Sequence, residues 1–187
     1  MSIIDQMYPA LFLDRDGVII ENRPNYIRSW ADVYIYPQAL EALVKVRIAP
    51  YKIVIATNQS VVGRGLISFS EAEVINQRLI AEIEAAGGRI DAIFMCPHTP
   101  EENCACRKPL PGLLYQAAEL LSIDLKKSIM IGDALSDIIA GQAAGVQKNV
   151  LVRTGRGALQ ASLANTVSIE PFLVYDTLAQ ALDALLF

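Results

Sequence analysis

Two carboxylates two positions apart, Asp14 and Asp16 in "DRDG", follow the apolar run "ALFL", and a third, Asp133 in "GDALSD", follows another, "SIMIG". Alone, D-x-D-G is what an ordinary turn needs, since Asp and Gly both favour turn geometry. A calcium loop is a poor match, because "DRDGVIIE" lacks the further ligands and the glycine at the sixth position. Adding Thr57 and Lys108 gives a chemically coherent set of acids, a hydroxyl and an ammonium. A carboxylate such as Asp14 can attack phosphorus, splitting one hard displacement into two easier ones through an aspartyl-phosphate. Magnesium prefers octahedral oxygen ligands and keeps some waters, so Asp14 and Asp133 with a backbone carbonyl suit a partial cage. Thr57 and Lys108 suit the remaining phosphoryl oxygens, because phosphoryl transfer is catalysed chiefly by positioning and charge neutralisation. That leaves Asp16 to move protons to the leaving alcohol and from water. Each residue also has a plainer use: Asp133 or Ser136 could cap the next helix, Thr57 could close a turn, and Lys108 could be a solvated charge before a proline.

A second cluster lies in "CPHTPEENCACRKP", residues 96–109, which holds all three cysteines and the only histidine. An odd cysteine count and an expected reducing cytoplasm argue against a disulfide framework. Four nitrogen and sulfur ligands, Cys96, His98, Cys104 and Cys106, instead suit tetrahedral zinc with no open position, which makes the metal structural. Small buried thiols beside a surface histidine are the plainer alternative. Arg107 and Lys108 follow Cys106 directly, so a loop fastened by zinc would present two cations.

The elements that must position these residues are read from hydrophobic pattern. Continuous apolar runs at 9–14, 51–57, 91–96, 128–133 and 149–155 suit strands buried on both faces, as in a parallel sheet covered by helices. Helical stretches fall between them: "PQALEALVKV", "SEAEVINQRLIAEIEAAGG" with a capping box from Ser70 to Glu73, "PGLLYQAAELLS" and "SDIIAGQAAG". The last segment reads as an edge strand followed by an amphipathic helix. The expected fold is α/β, a Rossmann-like parallel sheet with helices on both faces, in a single domain over 1–187. Asp14, Thr57, Cys96, Asp133, Arg153 and Thr154 then stand at strand carboxyl ends, where open parallel sheets bind ligands. The long connection from Asp14 to Pro37 contains Trp30, Tyr34 and Tyr36, which favours an ordered lid over that crevice.

Length permits a full core without staples, and no apolar run approaches the roughly 18 residues needed to cross a bilayer. The first residues show no export signal, so cytoplasmic location is expected. A net charge of −4 without a basic block argues against a nucleic-acid partner, and the lack of a spanning run against a membrane one. Arg64, Arg107, Arg153 and Arg156 remain available for a local cationic pocket, or as solvated surface charges.

"FLDRDGV", "IATNQS", "CRKPLPG" and "IGDALSD" resemble, in order, the four motifs of the haloacid dehalogenase-like phosphohydrolases. Within that family, "TNQS", the C-x-H and C-x-C pair, "RKP" and "LVRTG" resemble the D-glycero-D-manno-heptose 1,7-bisphosphate 7-phosphatases, with the histidinol-phosphate phosphatases as near relatives. The resemblance implies that Asp14 is the nucleophile and Asp16 the general acid/base. It also implies that Asp14, the Asp16 carbonyl and Asp133 hold magnesium, and that Thr57 and Lys108 steady the phosphoryl group. Asn22, Arg23, Asn25, Asn58, Gln59, Ser60 and Arg107 match substrate-touching positions, and loop 96–109 matches the family's zinc loop. The implied substrate is a sugar phosphate on the route to bacterial surface glycans, or alternatively histidinol phosphate. A receiver-type signalling module also uses a strand-end Asp, a Thr and a Lys, but would lack the acid at Asp16.

Overall fold

The computed structural model describes residues 7–164 and 168–187. The first six residues, on which the expectation about export partly rests, lie outside the described residues. Strand β1 (Ala10–Leu13) leads through a long connection to α1 (Pro37–Lys45), then β2 (Lys52–Asn58), a short helix α2 (Ser60–Gly63) and α3 (Phe69–Ala85). Next come β3 (Ala92–Cys96), α4 (Gly112–Leu121), β4 (Ile129–Gly132), α5 (Leu135–Ala143) and β5 (Lys148–Val152). Helix α6 (Gly157–Leu163), β6 (Leu173–Tyr175) and α7 (Leu178–Leu186) complete the order. All neighbouring strands run parallel, in the order β3-β2-β1-β4-β5-β6. The α/β expectation therefore holds.

Alternate strand residues feed two cores because successive side chains point to opposite faces. Leu11, Leu13, Ile53, Ile55, Ile129 and Ile131 pack with α1, α3 and α7 on one face, together with Val18, Ile19 and Ile20 of the long connection. Ala10, Phe12, Val54, Ala56 and Met130 pack on the other face against Leu113, Leu114 and Ala117 of α4. Burial on both sides explains why the strands read as continuous apolar runs.

Helix α3 begins two residues before the expected point. Ser68, not Ser70, is its cap: Ser68 Oγ accepts from Glu71 N at 3.2 Å, and Glu71 Oε2 accepts from Ser68 N at 2.7 Å. Both serines have the S-x-x-E spacing, and the earlier box takes the orphan amides first. The helix stops at the glycine pair, with Gly87 at φ +91° and Gly88 N donating to Ile83 O at 2.9 Å.

The connection after β1 is pinned at both ends. Ile19 N and Ile20 N both donate to Arg15 O at 3.0 Å, Glu21 N to Tyr34 O at 2.8 Å and Tyr36 N to Ile19 O at 3.0 Å. Between these anchors an exposed arc over 23–26 stands beside the strand ends. Among the described residues no helix is long and apolar enough to cross a membrane.

Candidate active site

Strand β1 lies between β2 and β4, so the chain leaves the sheet in opposite directions on its two sides, and the carboxyl end of such a switch point opens a crevice. Leu13 pairs with both Ile55 and Ile131, and Asp14 N donates to Ile131 O at 2.9 Å. This register sets Asp14, just past β1, beside Asp133, just past β4. The crevice has a volume of about 570 Å³. Asp14 and Asp16, the β2-end residues Asn58, Gln59 and Ser60, Arg107 and Lys108 from the cysteine loop, and Asn22 and Arg23 from the long connection all line it. Ser136, Asp137 and Arg156 line it too.

Asp14, Asp133 and Asp137 are all buried, and each offers an oxygen within 4.8 Å of the others. Asp137, unassigned from sequence, enters because α5 begins immediately after the β4 end: its Oδ2 accepts from Ala134 N at 3.0 Å, so Asp137 and neither Asp133 nor Ser136 serves the helix start. The Lys108 ammonium lies 2.6 Å from Asp137 Oδ1 and 3.0 Å from Asp14 Oδ1, and donates to Ala56 O at 2.6 Å. Asp14 Oδ1 is buried, and the Lys108 ion pair is its polar contact. Burial pushes the Asp14 carboxyl up to about 6, with Lys108 opposing and Asp137 and Asp16 adding to the rise. Burial and Asp14 also raise Asp133, against the pull of Arg156. Lys108 is raised despite burial because Asp137 and Asp14 face it. Three buried acids with oxygens in mutual reach form a hard oxygen donor set that fits a small divalent cation.

Two glycines let backbone approach Asp133. A Cβ on Gly17 (φ +84°) would stand 2.1 Å from Asp133 Oδ2, and one on Gly155 (φ +57°) 2.4 Å from the same atom. Thr154 Oγ1 closes this wall by donating to Gly17 O at 2.5 Å. Arg156 then reaches Asp133 through its backbone N–H (2.8 Å) and its guanidinium (3.2 Å to Oδ1).

Several predicted substrate contacts are already engaged with protein. The Asn58 amide clamps the Lys108 backbone, donating to Lys108 O at 2.9 Å and accepting from Lys108 N at 3.1 Å. Gln59 Nε2 donates to Asp16 Oδ2 and to Thr57 Oγ1, both at 2.8 Å. Thr57 is buried inside β2 and Asn25 is exposed on the arc; neither lines the crevice. Arg153 pairs with Asp176 at 2.7 Å, and neither it nor Arg64 lines the crevice. Arg15, unassigned from sequence, is 1% exposed and sits behind Asp16.

Cys96, His98, Cys104 and Cys106 gather at the end of β3. Cys96 Sγ lies 3.5 Å from both His98 Nδ1 and Cys104 Sγ, and Cys106 Sγ lies 3.4 Å from His98 Nδ1 and 3.5 Å from Cys104 Sγ. Zinc–sulfur bonds of about 2.3 Å in a tetrahedron set sulfur atoms about 3.7 Å apart, close to these edges, whereas a disulfide is about 2.05 Å. Burial drives the Cys96 thiol up, while hydrogen bonds from its neighbours outweigh burial at Cys104 and lower it to about 7. The donor set fits zinc. Arg107 Nη1 donates to His98 O at 3.0 Å, tying the loop to the first cation that follows it.

Comparison with known proteins agrees with this architecture. A family model described as HAD-hydrolase-like matches residues 105–181. A D-glycero-beta-D-manno-heptose-1,7-bisphosphate 7-phosphatase of Pseudomonas aeruginosa is 36% identical over 176 residues, covering 94% of this chain and 97% of the relative. A Helicobacter pylori protein of the same name is 41% identical over 144 residues, 76% of this chain and 82% of its own length. The crystal structure of D,D-heptose 1,7-bisphosphate phosphatase from B. bronchiseptica, complexed with magnesium and phosphate, superposes with a TM-score of 0.87 at 33% identity. That superposition covers 95% of this chain and 98% of the other. With relatives matched almost end to end and the strand-end acids gathered at one crevice, this phosphatase belongs to the haloacid dehalogenase-like phosphohydrolases.

Proposed function

We propose that the protein removes the 7-phosphate of D-glycero-D-manno-heptose 1,7-bisphosphate through an aspartyl-phosphate on Asp14. The observation that carries this reading is the group of three buried acids, two of them paired with Lys108, at the sheet's switch point. The names of the relatives supply the substrate. Asp14, the Asp16 carbonyl and Asp133, with Asp137 beside them, would hold magnesium, which supplies Lewis-acid polarisation of the phosphoryl oxygens. An oxygen of Asp14 attacks phosphorus as the ester bond to the sugar breaks, and Asp16 gives its proton to the departing oxygen. Asp16 then takes a proton from the water that attacks the aspartyl-phosphate, releasing phosphate and restoring Asp14. Lys108, which lines the crevice, neutralises and orients the transferred group, and Thr57 acts from behind it by holding Gln59. Arg23, Arg107 and Arg156 give an acidic protein a cationic rim for the phosphate that is kept, with Asn22 and Ser60 toward the sugar. Cys96, His98, Cys104 and Cys106 hold a structural zinc that fastens this rim.

The test is phosphate release with magnesium from both anomers of the heptose bisphosphate and from histidinol phosphate, with Asp14→Asn as control. Faster turnover of a heptose bisphosphate is expected. Preference for histidinol phosphate, or undiminished release by Asp14→Asn, would overturn the reading.

A further inference from the structure

Arg15 stands between the two acids of "DRDG", yet its side chain is among the largest that are fully buried. Its Nε donates to Asp16 Oδ2 at 3.0 Å and its Nη2 lies 3.3 Å from Asp16 Oδ1, a two-pronged grip on one carboxylate. The other end of the guanidinium is itself held: Nη1 donates to Asn76 Oδ1 on α3 at 2.7 Å, and Nη2 to Gln59 Oε1 at 2.8 Å. Gln59 closes the circuit through its bond to Asp16 Oδ2. A buried cation is costly to desolvate unless paired and fully hydrogen-bonded, and an ordinary solvent-facing turn has no need of one.

A carboxylate offers about four acceptor sites, two on each oxygen. On Asp16, Oδ2 receives Arg15 Nε and Gln59 Nε2, and Oδ1 receives Arg15 Nη2 alone. One site, on Oδ1, stays open on a side chain that lines the crevice. We propose that Arg15, braced by Asn76 and Gln59, is a positioning residue that locks the Asp16 rotamer and directs Oδ1 toward the sugar oxygen that leaves phosphorus. This rests on the reading of Asp16 as the general acid. The step is balanced: the Oδ1 proton passes to the leaving oxygen as its bond to phosphorus breaks and the Asp14–phosphorus bond forms. Nothing else is consumed.

A structural arginine and a positioning one differ in their sensitivity to the leaving group. An alkyl sugar phosphate needs a proton on its departing oxygen; 4-nitrophenyl phosphate, whose phenolate leaves unaided, does not. The quantity to measure is kcat/KM, which reports the first phosphoryl transfer and not the later hydrolysis of the intermediate. Arg15→Lys keeps the charge but loses the two-pronged grip, and Asn76→Ala loosens the same guanidinium from α3, so either soluble variant serves. General acid catalysis is worth about 10²- to 10⁴-fold, so Arg15→Lys should lose roughly 30-fold or more on a sugar phosphate and less than about 3-fold on 4-nitrophenyl phosphate. Asn76→Ala should show the same selectivity at smaller size. Equal losses on both substrates would overturn the proposal. Asp16→Asn separates the two levels: if it is selective and the Arg15 and Asn76 variants are not, only the positioning role fails. If Asp16→Asn itself loses equally on both substrates, the acid assignment fails with it.

Discussion

Burial holds the Asp14 carboxyl near 6, above the ordinary 3.8, so the metal-free fold keeps a proton that the unfolded chain has already lost. Stability from this group is therefore largest at low pH and declines as pH rises through about 4 to 6, by about 2 to 3 kcal/mol in all. Asparagine copies the neutral form. Asp14→Asn should abolish phosphate release yet melt about 5 °C higher than wild type at neutral pH without metal, read by calorimetry. The same proton competes with a cation for Asp14, so magnesium affinity should fall about tenfold per pH unit below 6. Isothermal titration across that window checks the slope; a flat profile would place the ion elsewhere.

The loop over 96–109 joins the end of β3 to the start of α4, and the fastenings that hold it include the Cys/His cluster and the Asn58 amide on the Lys108 backbone. Cys106→Ser should lower zinc content and turnover together, and full activity without zinc would refute their coupling. Asn58→Ala should leave zinc in place and still slow turnover. Each lost hydrogen bond is worth about 0.5 to 1.5 kcal/mol, so Lys108 would be misplaced at a cost of about 1 to 3 kcal/mol in stability. Comparing metal content with rate in the two variants separates the fastenings.

Across the molecule, the strand order brings the chain's early and late halves together at Asp14 and Asp133, and beyond the strand ends the seam closes where Gly17 and Gly155 let backbone touch Asp133. Alanine at Gly17 would meet both a positive φ and an atom 2.1 Å away. The expected outcome for Gly17→Ala is a loss of at least about 2 kcal/mol in denaturant unfolding and a collapse of activity. A variant as stable as wild type would mean that the seam opens freely.

Strand positions, the sheet's burial on both faces, and Asp14, Lys108 and Asp133 were legible because continuous apolar runs and strand-end chemistry are local signals. The α3 cap was half legible, since two serines share the capping spacing and only the folded helix chooses between them. Asp137 was hidden as a polar helix residue until Lys108 arrived from a distant loop. Arg15 was unassigned, and the protein contacts that Asn58 and Gln59 make while lining the crevice, to the Lys108 backbone and to Asp16, were not visible along the chain. Hydrophobic period and turn chemistry act over a few neighbours, so they can be read along the chain. Which charge is neutralised by which partner depends on groups that meet only after the sheet has assembled, and that pairing became visible only in three dimensions.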